Sequence, residues 1–406
     1  MIKRNRTKNG HKNKAYNWRS RVILQLLCFY ALIYIAEAFF VPYITAYYKL
    51  QGMTPLEIGI LSSIGPICAI VVQPFWAIKS DRSGKRLTLL RKIIFMAAVS
   101  VMFFPVAKSF SSILFFNILF FSFQTSIVPL GNTMSASKLW NTGYDFSRVR
   151  VGGTLGYAFA AAISGPLVEH NQHWIFILTG AAYLLLLFVT LTLKEKGSNE
   201  SSSELVRAQR YYGSGNLLFD SRNVIVVLII ACATQILVSC YSSFFGPYLV
   251  ELGFHEADIG RAMMISAIGE LPAYFIMNKI GDRFSTFSIL IAASVVLAVR
   301  NVMLSVASDF WMISAAQLLG GIAYMLVYYN CVVFLSKEMP EELRGRAQSA
   351  LVVVQVGVGS IVGNIFGGLF VERRGIAFTY QIFGEMLLAL LIIIVLLKRF
   401  GKEKIE

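Results

Sequence analysis

Apolar runs of similar length follow one another along the chain, and they limit what it can fold into. A bilayer core about 30 Å thick is crossed by roughly 20 apolar residues in a helix that rises about 1.5 Å per residue. The sequence divides into twelve such runs, separated by short polar stretches, and predicts an all-α membrane protein with twelve transmembrane helices. The predicted spans are 22–47, 57–78, 91–108, 110–135, 149–168, 173–193, 223–249, 257–280, 286–307, 309–335, 346–370 and 375–398.

The composition and the placement of charge also favour a membrane protein. Hydrophobic residues make up 56% of the chain and charged residues 15%, which is too apolar for a soluble domain with a wetted surface. The net charge of +15 would suit a nucleic-acid partner, but the basic residues lie in the gaps between apolar runs. We therefore expect contacts with membrane lipids and no nucleic acid.

The basic residues also predict an orientation. If the N-terminus is cytoplasmic, all but six of the 37 Lys and Arg lie on that side, and the positive-inside rule is obeyed. The exceptions are Lys49, Lys108, Arg261, Arg300, Arg373 and Arg374. We expect a multi-pass protein of the plasma (inner) membrane with both termini in the cytoplasm.

The longest polar stretch divides the spans into two sets of six. It reads "KEKGSNESSSELVRAQRYYGSGN" from residue 194 and mixes charge, Ser and Gly, as linkers do. The predicted organisation is a cytoplasmic tail (1–21), an N-terminal six-helix half (22–193), a cytoplasmic central loop (194–222), a C-terminal six-helix half (223–398) and a second cytoplasmic tail (399–406).

The two halves share a sequence pattern. "IGILSSIGP" precedes "KSDR" in the first half, and "IGRAMMISAIG" precedes "IGDR" in the second. The spacing from Gly59 to Asp81 and from Gly260 to Asp282 is 22 residues in both. Two pseudo-symmetric six-helix halves are typical of alternating-access transporters, whose substrate site lies between the halves near the midplane.

The stretch "AIKSDRSGKR" resembles the G-x-x-x-D-R-x-G-R/K-R signature of the major facilitator superfamily, with Ala77 where glycine is usual. The resemblance implies a secondary transporter of that fold, not an enzyme, and a cytoplasmic gating role for the loop. We expect Gly84 to permit a tight turn, and Arg82 and Arg86 to pair with acids of the opposite half. The gating residues implied by the two copies are Asp81, Arg82, Gly84, Lys85, Arg86, Asp282 and Arg283.

Three segments resemble the lactose permease and its oligosaccharide and phenylpropionate relatives. In "GELPAYFIMNKIG" the resemblance implies a sugar-binding role for Glu270, and in "LAVRNVMLSVAS" a proton-coupling role for Arg300. In "YDFSRVRVGGTLGYAFAAAISG" it implies that Arg150 binds sugar and Tyr157 stacks on it. Asn132 stands where those permeases carry a galactoside-binding Glu, so the resemblance does not imply a galactoside substrate.

Four charged residues stand out among those inside predicted spans, where a charge costs about 2.5 to 3.5 kcal/mol on insertion scales unless it pairs or faces water. We interpret Glu37 and Glu270, both near the midplane, as proton or substrate groups facing a cavity; the alternative is a structural or packing role. For Arg300 and Glu385 the alternatives are coupling and an ion pair, in which one neutralises the other or another buried acid.

These features favour a proton-coupled symporter of a small polar or aromatic solute (sugar, nucleoside or aromatic acid) that works as a monomer. A proton-driven multidrug or solute efflux antiporter of the same fold is the alternative, because "SGPLVEH" keeps the Gly165-Pro166 of an exporter motif but has Glu169 after it. The chain has no phosphate-binding loop, so we expect a proton gradient as the energy source, without cofactor or metal.

Overall fold

The apolar runs form helices that end within a few residues of the predicted limits, apart from the start of the first and the end of the third, where the α-helix stops at Val101 and a short 3-10 helix, Phe104–Val106, follows. The computed structural model describes residues 2–139, 146–193, 221–280 and 283–402. The helices are α1 (Ile2–Leu50), α2 (Pro55–Ser83), α3 (Arg86–Val101), α4 (Phe110–Leu139), α5 (Phe146–His170), α6 (Trp174–Thr192), α7 (Arg222–Glu251), α8 (Glu256–Ile280), α9 (Thr286–Ser305), α10 (Phe310–Glu338), α11 in three parts (Glu341–Val352, Val353–Gly359 and Ser360–Arg374) and α12 (Ile376–Lys402).

Eleven of these helices are long and apolar enough to cross a membrane. The membrane-crossing part of α1 begins at Arg21, although the helix itself begins at Ile2. The remaining helix, α8, is 25 residues long and carries several charged residues, among them Asp258, Arg261 and Glu270. By position and length it completes the predicted set of twelve.

Local chemistry fixes the ends of α2. Thr54 and Glu57 form a capping box: the Glu57 amide donates to the Thr54 hydroxyl at 3.3 Å, and the Thr54 amide donates to the Glu57 carboxylate at 2.8 Å. At the other end Gly84 adopts a left-handed conformation with φ of 64°, which glycine reaches without steric cost. The expected tight turn at Gly84 is therefore present.

A π-helical segment interrupts α11, and the sequence analysis did not anticipate it. It runs through Val353–Gly359, between α-helical parts on either side. Within it, Gly357 and Gly359 face Ile70 of α2 and Gln235 of α7, so the segment lies against both halves of the protein. Segments of this kind are rare and often occur at functional positions in helices.

The second six helices repeat the packing of the first six. In the first half α2 packs on α4, α3 on α4 and α6, and α1 on α5; in the second, α8 packs on α10, α9 on α10 and α12, and α7 on α11. The halves meet where α2 packs on α11 and where α8 packs on α5. In both contacts the second helix of one half packs against the fifth helix of the other half. The predicted fold class, two pseudo-symmetric six-helix halves, is confirmed.

The two glycines of the sequence repeat lie at the seam between the halves. A Cβ on Gly59 would overlap the backbone carbonyl of Asn364 in α11, and one on Gly260 would lie 2.5 Å from the carbonyl oxygen of Ala161 in α5. Nearby, the Asn364 amide donates to the Ser62 carbonyl at 3.0 Å. The equal spacing in the two halves thus marks positions where helices of opposite halves touch.

These contacts lie at one end of the bundle, formed by the last turns of α1, α5, α7 and α11 and the first turns of α2 and α8. We call it the joined end. One ion pair and one histidine–carboxylate contact connect the halves there: the Lys49 ammonium lies 2.6 Å from the Glu251 carboxylate, and His255 lies 3.4 Å from Glu169. Lys49 also donates to the Pro247 carbonyl at 3.3 Å.

Removing the Lys49 contact should cost little stability. Lys49 is 32% and Glu251 48% exposed, and pairs this accessible to solvent contribute about 1 kcal/mol or less. We expect Lys49→Met to lower the Tm of the purified protein by no more than about 4 °C, measured beside Lys108→Met as an exposed-lysine control. A larger drop would mean that the Lys49–Glu251 pair contributes much of the stability of the contact between the halves.

Candidate functional site

Glycines of α5 allow that helix to approach α1 closely. A Cβ on Gly152 or Gly156 would lie 2.6 Å from a backbone carbonyl of α1, and one on Gly153 would overlap the Tyr34 ring. The close approach places Arg150 and Tyr157, which flank these glycines on α5, beside the part of α1 that carries Tyr34 and Glu37. The "VGGTLGY" stretch therefore builds one wall of the site.

Glu37 and Arg150 meet at this wall. The Gln124 amide of α4 donates a long hydrogen bond of 3.5 Å to the Glu37 carboxylate. Arg150 interacts electrostatically with Glu37 and hydrogen-bonds the Tyr34 hydroxyl. Glu37 is half-buried and Arg150 exposed, so neither side chain is enclosed in a packed core.

The second half contributes Glu270 of α8, also half-buried. Arg150 interacts electrostatically with Glu270 as well, so it faces a carboxylate from each half. Tyr157 neighbours both carboxylates, and Tyr324 of α10 lies near Glu270. The structure thus brings together Glu37, Arg150, Tyr157 and Glu270, which the sequence analysis had proposed separately. We call these four residues the central site.

The charges of the central site do not balance when both carboxylates are ionised. Two carboxylates then face a single guanidinium, because Arg150 stays protonated at any physiological pH. Uptake of one proton by either carboxylate brings the net charge of the three groups to zero. In a membrane interior, where uncompensated charge is costly, this arrangement can link proton occupancy to whatever binds between the halves.

Asn132 borders the site through Tyr30. The Tyr30 hydroxyl lies 2.9 Å from the Asn132 carbonyl oxygen and 3.2 Å from the Ser135 hydroxyl, which joins α1 to α4. Tyr30 in turn lies within electrostatic range of Arg150. Asn132 therefore supports the wall next to Arg150.

Arg300 lies apart from the central site and is only 3% exposed. Its guanidinium stacks on the Tyr241 ring, 3.3 Å from the ring centre, and donates to the side-chain oxygens of Asn301 at 3.1 Å and Gln317 at 3.3 Å. The ion-pair interpretation with Glu385 is wrong: Glu385 is exposed on α12 and accepts a 2.8 Å hydrogen bond from Gln381 of its own helix.

The loop after α2 pairs within itself. Arg86 donates to Asp81 at 3.0 Å across the Gly84 turn, whereas pairing with acids of the opposite half was expected. The five-residue separation and the left-handed glycine bring the two side chains together locally. Arg82, Lys85 and Arg283 are exposed, and Asp282 lies outside the described residues.

Comparison with known proteins agrees with this architecture. The family model described as MFS_1 like family matches residues 23–382. The chain belongs to the MFS_1 like family. The expected membership of the major facilitator superfamily (MFS) is confirmed, and the protein is a multi-pass membrane transporter of the MFS.

Relatives of this MFS protein span almost its whole length. It is 24% identical over 384 residues to maltose permease of Geobacillus stearothermophilus, covering 93% of this chain and 95% of that one. It is 23% identical over 380 residues to multidrug resistance protein MdtG of Escherichia fergusonii, covering 90% and 91%. A crystal structure of a mutant nucleoside transporter NupG superimposes with a TM-score of 0.81 at 18% identity, covering 91% and 98%.

The sequence analysis of this MFS transporter missed Gln124 and the neutral residues around Arg300. Gln124 is a single amide inside the apolar run of α4, a pattern that normally indicates packing. Tyr241 and Gln317 lie on other helices than Arg300, so no pattern within one helix connects the three residues. These residues could have been found by asking which uncharged polar side chains in other predicted spans could hydrogen-bond each buried charge.

Proposed function

We propose that this transporter is a proton-coupled symporter that carries a neutral, polyhydroxylated solute, a sugar or a nucleoside, into the cell. The observation that carries the proposal is Arg150 facing Glu37 from one half and Glu270 from the other. One proton neutralises this set, and a neutral solute then adds no further charge. An aromatic acid would add an uncompensated negative charge to the same singly protonated set, so the charge count disfavours it.

The chemistry of the lining supports the same substrate class. Carboxylates, a guanidinium and an amide offer acceptors and donors for several hydroxyl groups, and Tyr34, Tyr157 and Tyr324 supply aromatic rings beside them. The relatives named maltose permease and nucleoside transporter act, by their names, on solutes of this kind.

In the proposed cycle a proton and the solute bind together, and the halves then rock about the central site. We assign the joined end to the outside of the plasma membrane and both termini to the cytoplasm, in line with the distribution of Lys and Arg. The Asp81 loop would then close the cytoplasmic side in the opposite state. We further propose that a single chain performs the cycle with the proton gradient as its only energy source.

A proton-driven exporter is the second candidate, because MdtG is similar over most of the chain and Gly165-Pro166 matches part of an exporter motif. Gly165 also has a packing role, since a Cβ there would lie 2.5 Å from the Ala257 Cα of α8. A glycine needed for helix contact is weaker support for export than the charge balance is for symport.

Thermal-shift screening of the purified protein distinguishes the two candidates. We expect sugars or nucleosides to raise the Tm, by about 3 °C at tenfold excess over Kd, and aromatic acids to have no effect. Arg150→Met should remove the shift, because the group between the two carboxylates is lost. Stabilisation by hydrophobic cations alone would favour the exporter and contradict the proposal.

A further inference from the structure

Arg300 holds a permanent positive charge inside a shell of neutral groups, since a guanidinium does not lose its proton in proteins. Its neighbours are Tyr241 of α7, Asn301 of α9, Gln317 and Gly320 of α10 and Tyr380 of α12. None of these groups is acidic, and within the described ranges no ion pair includes Arg300. We call Arg300, Tyr241, Asn301, Gln317 and Gly320 the Arg300 cluster.

The two side-chain amide oxygens of the Arg300 cluster both accept hydrogen bonds from neighbours within the cluster. The Asn301 side-chain oxygen accepts from Arg300, and the Gln317 oxygen accepts from Arg300 and, at 2.8 Å, from the Tyr241 hydroxyl. These bonds fix the orientation of both amides, because the reversed amides would turn N–H groups toward the guanidinium.

Three buried N–H donors remain without a partner. They are Nε of Arg300, Nδ2 of Asn301 and Nε2 of Gln317. Asn301 and Gln317 are fully buried and Arg300 nearly so. Buried donors normally have partners, and three in one cluster beside an uncompensated cation require an explanation. Each of the three N–H groups lacks a hydrogen-bond acceptor.

We propose that the Arg300 cluster binds a small inorganic anion of the halide type, such as chloride. An anion supplies the missing negative charge and accepts hydrogen bonds from several N–H groups at once. A water molecule fits less well, because it can accept hydrogen bonds but supplies no negative charge to balance the guanidinium. The anion would stabilise the second half without adding an acid that competes with Glu37 and Glu270 for the transported proton.

The Gly320 backbone packs closely against the Nε edge of the guanidinium. A Cβ at this position would lie 2.9 Å from Nε and 3.3 Å from Cζ of Arg300. A methyl group would therefore push the guanidinium out of its present position, while the rest of the cluster keeps its side chains. The deep burial of the surrounding residues favours a monoatomic ion over the larger carboxylate of an organic solute.

The test uses the purified full-length transporter, without transported solute, in chloride and in gluconate at equal ionic strength. We expect chloride and bromide, but not gluconate, to raise the Tm saturably, by about 3 °C at tenfold excess over Kd. Gly320→Ala should lose this saturable shift. Ser314→Ala is the matched control and should keep the halide-dependent shift. Ser314 lies on the same helix, and its hydroxyl donates to the backbone carbonyl of Phe310.

Bromide provides a second measurement that does not depend on a variant. Crystals grown in bromide should show an anomalous peak within hydrogen-bonding distance of the Arg300 Nε. A wild-type Tm that is the same in chloride and gluconate, or a full halide shift in Gly320→Ala, would overturn the proposal. So would a shift produced by acetate or benzoate and not by halide, since that result would identify a carboxylate site.

Discussion

Glu37→Gln or Glu270→Gln should abolish proton-driven accumulation of the transported solute while leaving solute exchange intact. Glutamine keeps nearly the same shape and hydrogen-bonding capacity but cannot change charge. A carrier without a titratable central group still reorients, so in proteoliposomes with an imposed pH gradient the accumulation ratio should fall to about 1, the value for passive equilibration.

Exchange measured in the same proteoliposomes separates loss of coupling from loss of folding. A variant that is misfolded loses both activities, whereas an uncoupled one exchanges labelled for unlabelled solute at a rate close to wild type. Glu372→Gln, at the exposed end of α11, is the control for removing a carboxylate elsewhere. If both central variants accumulate solute normally, the assignment of the proton to this site is wrong.

Gly260→Ala should slow transport strongly through the seam between the halves. The added methyl group would lie 2.5 Å from the Ala161 carbonyl oxygen and 2.5 Å from the Tyr43 hydroxyl oxygen, closer than packed atoms tolerate. Overpacking of this kind costs about 1 to 3 kcal/mol, which lowers the equilibrium constant for the state with the joined end closed by roughly five- to 150-fold. The initial uptake rate should fall about tenfold.

Gly345→Ala is the matched control, because a Cβ there meets no atom within 4 Å. Initial uptake rates normalised to the amount of reconstituted protein compare the two variants directly. Similar rates for Gly260→Ala and wild type would show that the joined end tolerates a methyl group, and the seam would not control the cycle.

Much of the fold could be predicted because the bilayer imposes a length. Each crossing needs an apolar run of about 20 residues, so the helices can be counted in the sequence. The repeat of Gly59 and Gly260 predicted two related halves, and the structure explains it by contact across the seam. The π-helical segment of α11 could not be predicted, since its sequence "VVQVGVG" would also suit an ordinary helix.

The central site could be predicted in part, because a carboxylate within an apolar run is rare enough to be noticed. Glu37 and Glu270 were found in that way, but their common neighbour Arg150 was assigned by resemblance. That a single guanidinium faces both carboxylates depends on how α5 lies between α1 and α8, and this is a tertiary property. Gln124 was missed because a neutral amide costs less to bury than a charge.

The surroundings of Arg300 also depended on tertiary structure, and here the sequence led to a wrong prediction. A buried arginine predicts a buried acid, and the sequence offers Glu385 as a candidate. The structure surrounds Arg300 instead with an aromatic ring and two amides contributed by three helices. Only the relative rotation of those helices decides between the two outcomes, and a pattern of apolar residues does not encode that rotation clearly.

Proton movement driven by the solute tests the central claim most directly. A dense suspension of cells producing the protein is placed in a weakly buffered medium, and the external pH is recorded while a stabilising sugar or nucleoside is added. The account predicts prompt alkalinisation of the medium in wild type and none in Glu37→Gln or Glu270→Gln. Solute uptake without any pH change, or acidification of the medium, would contradict it.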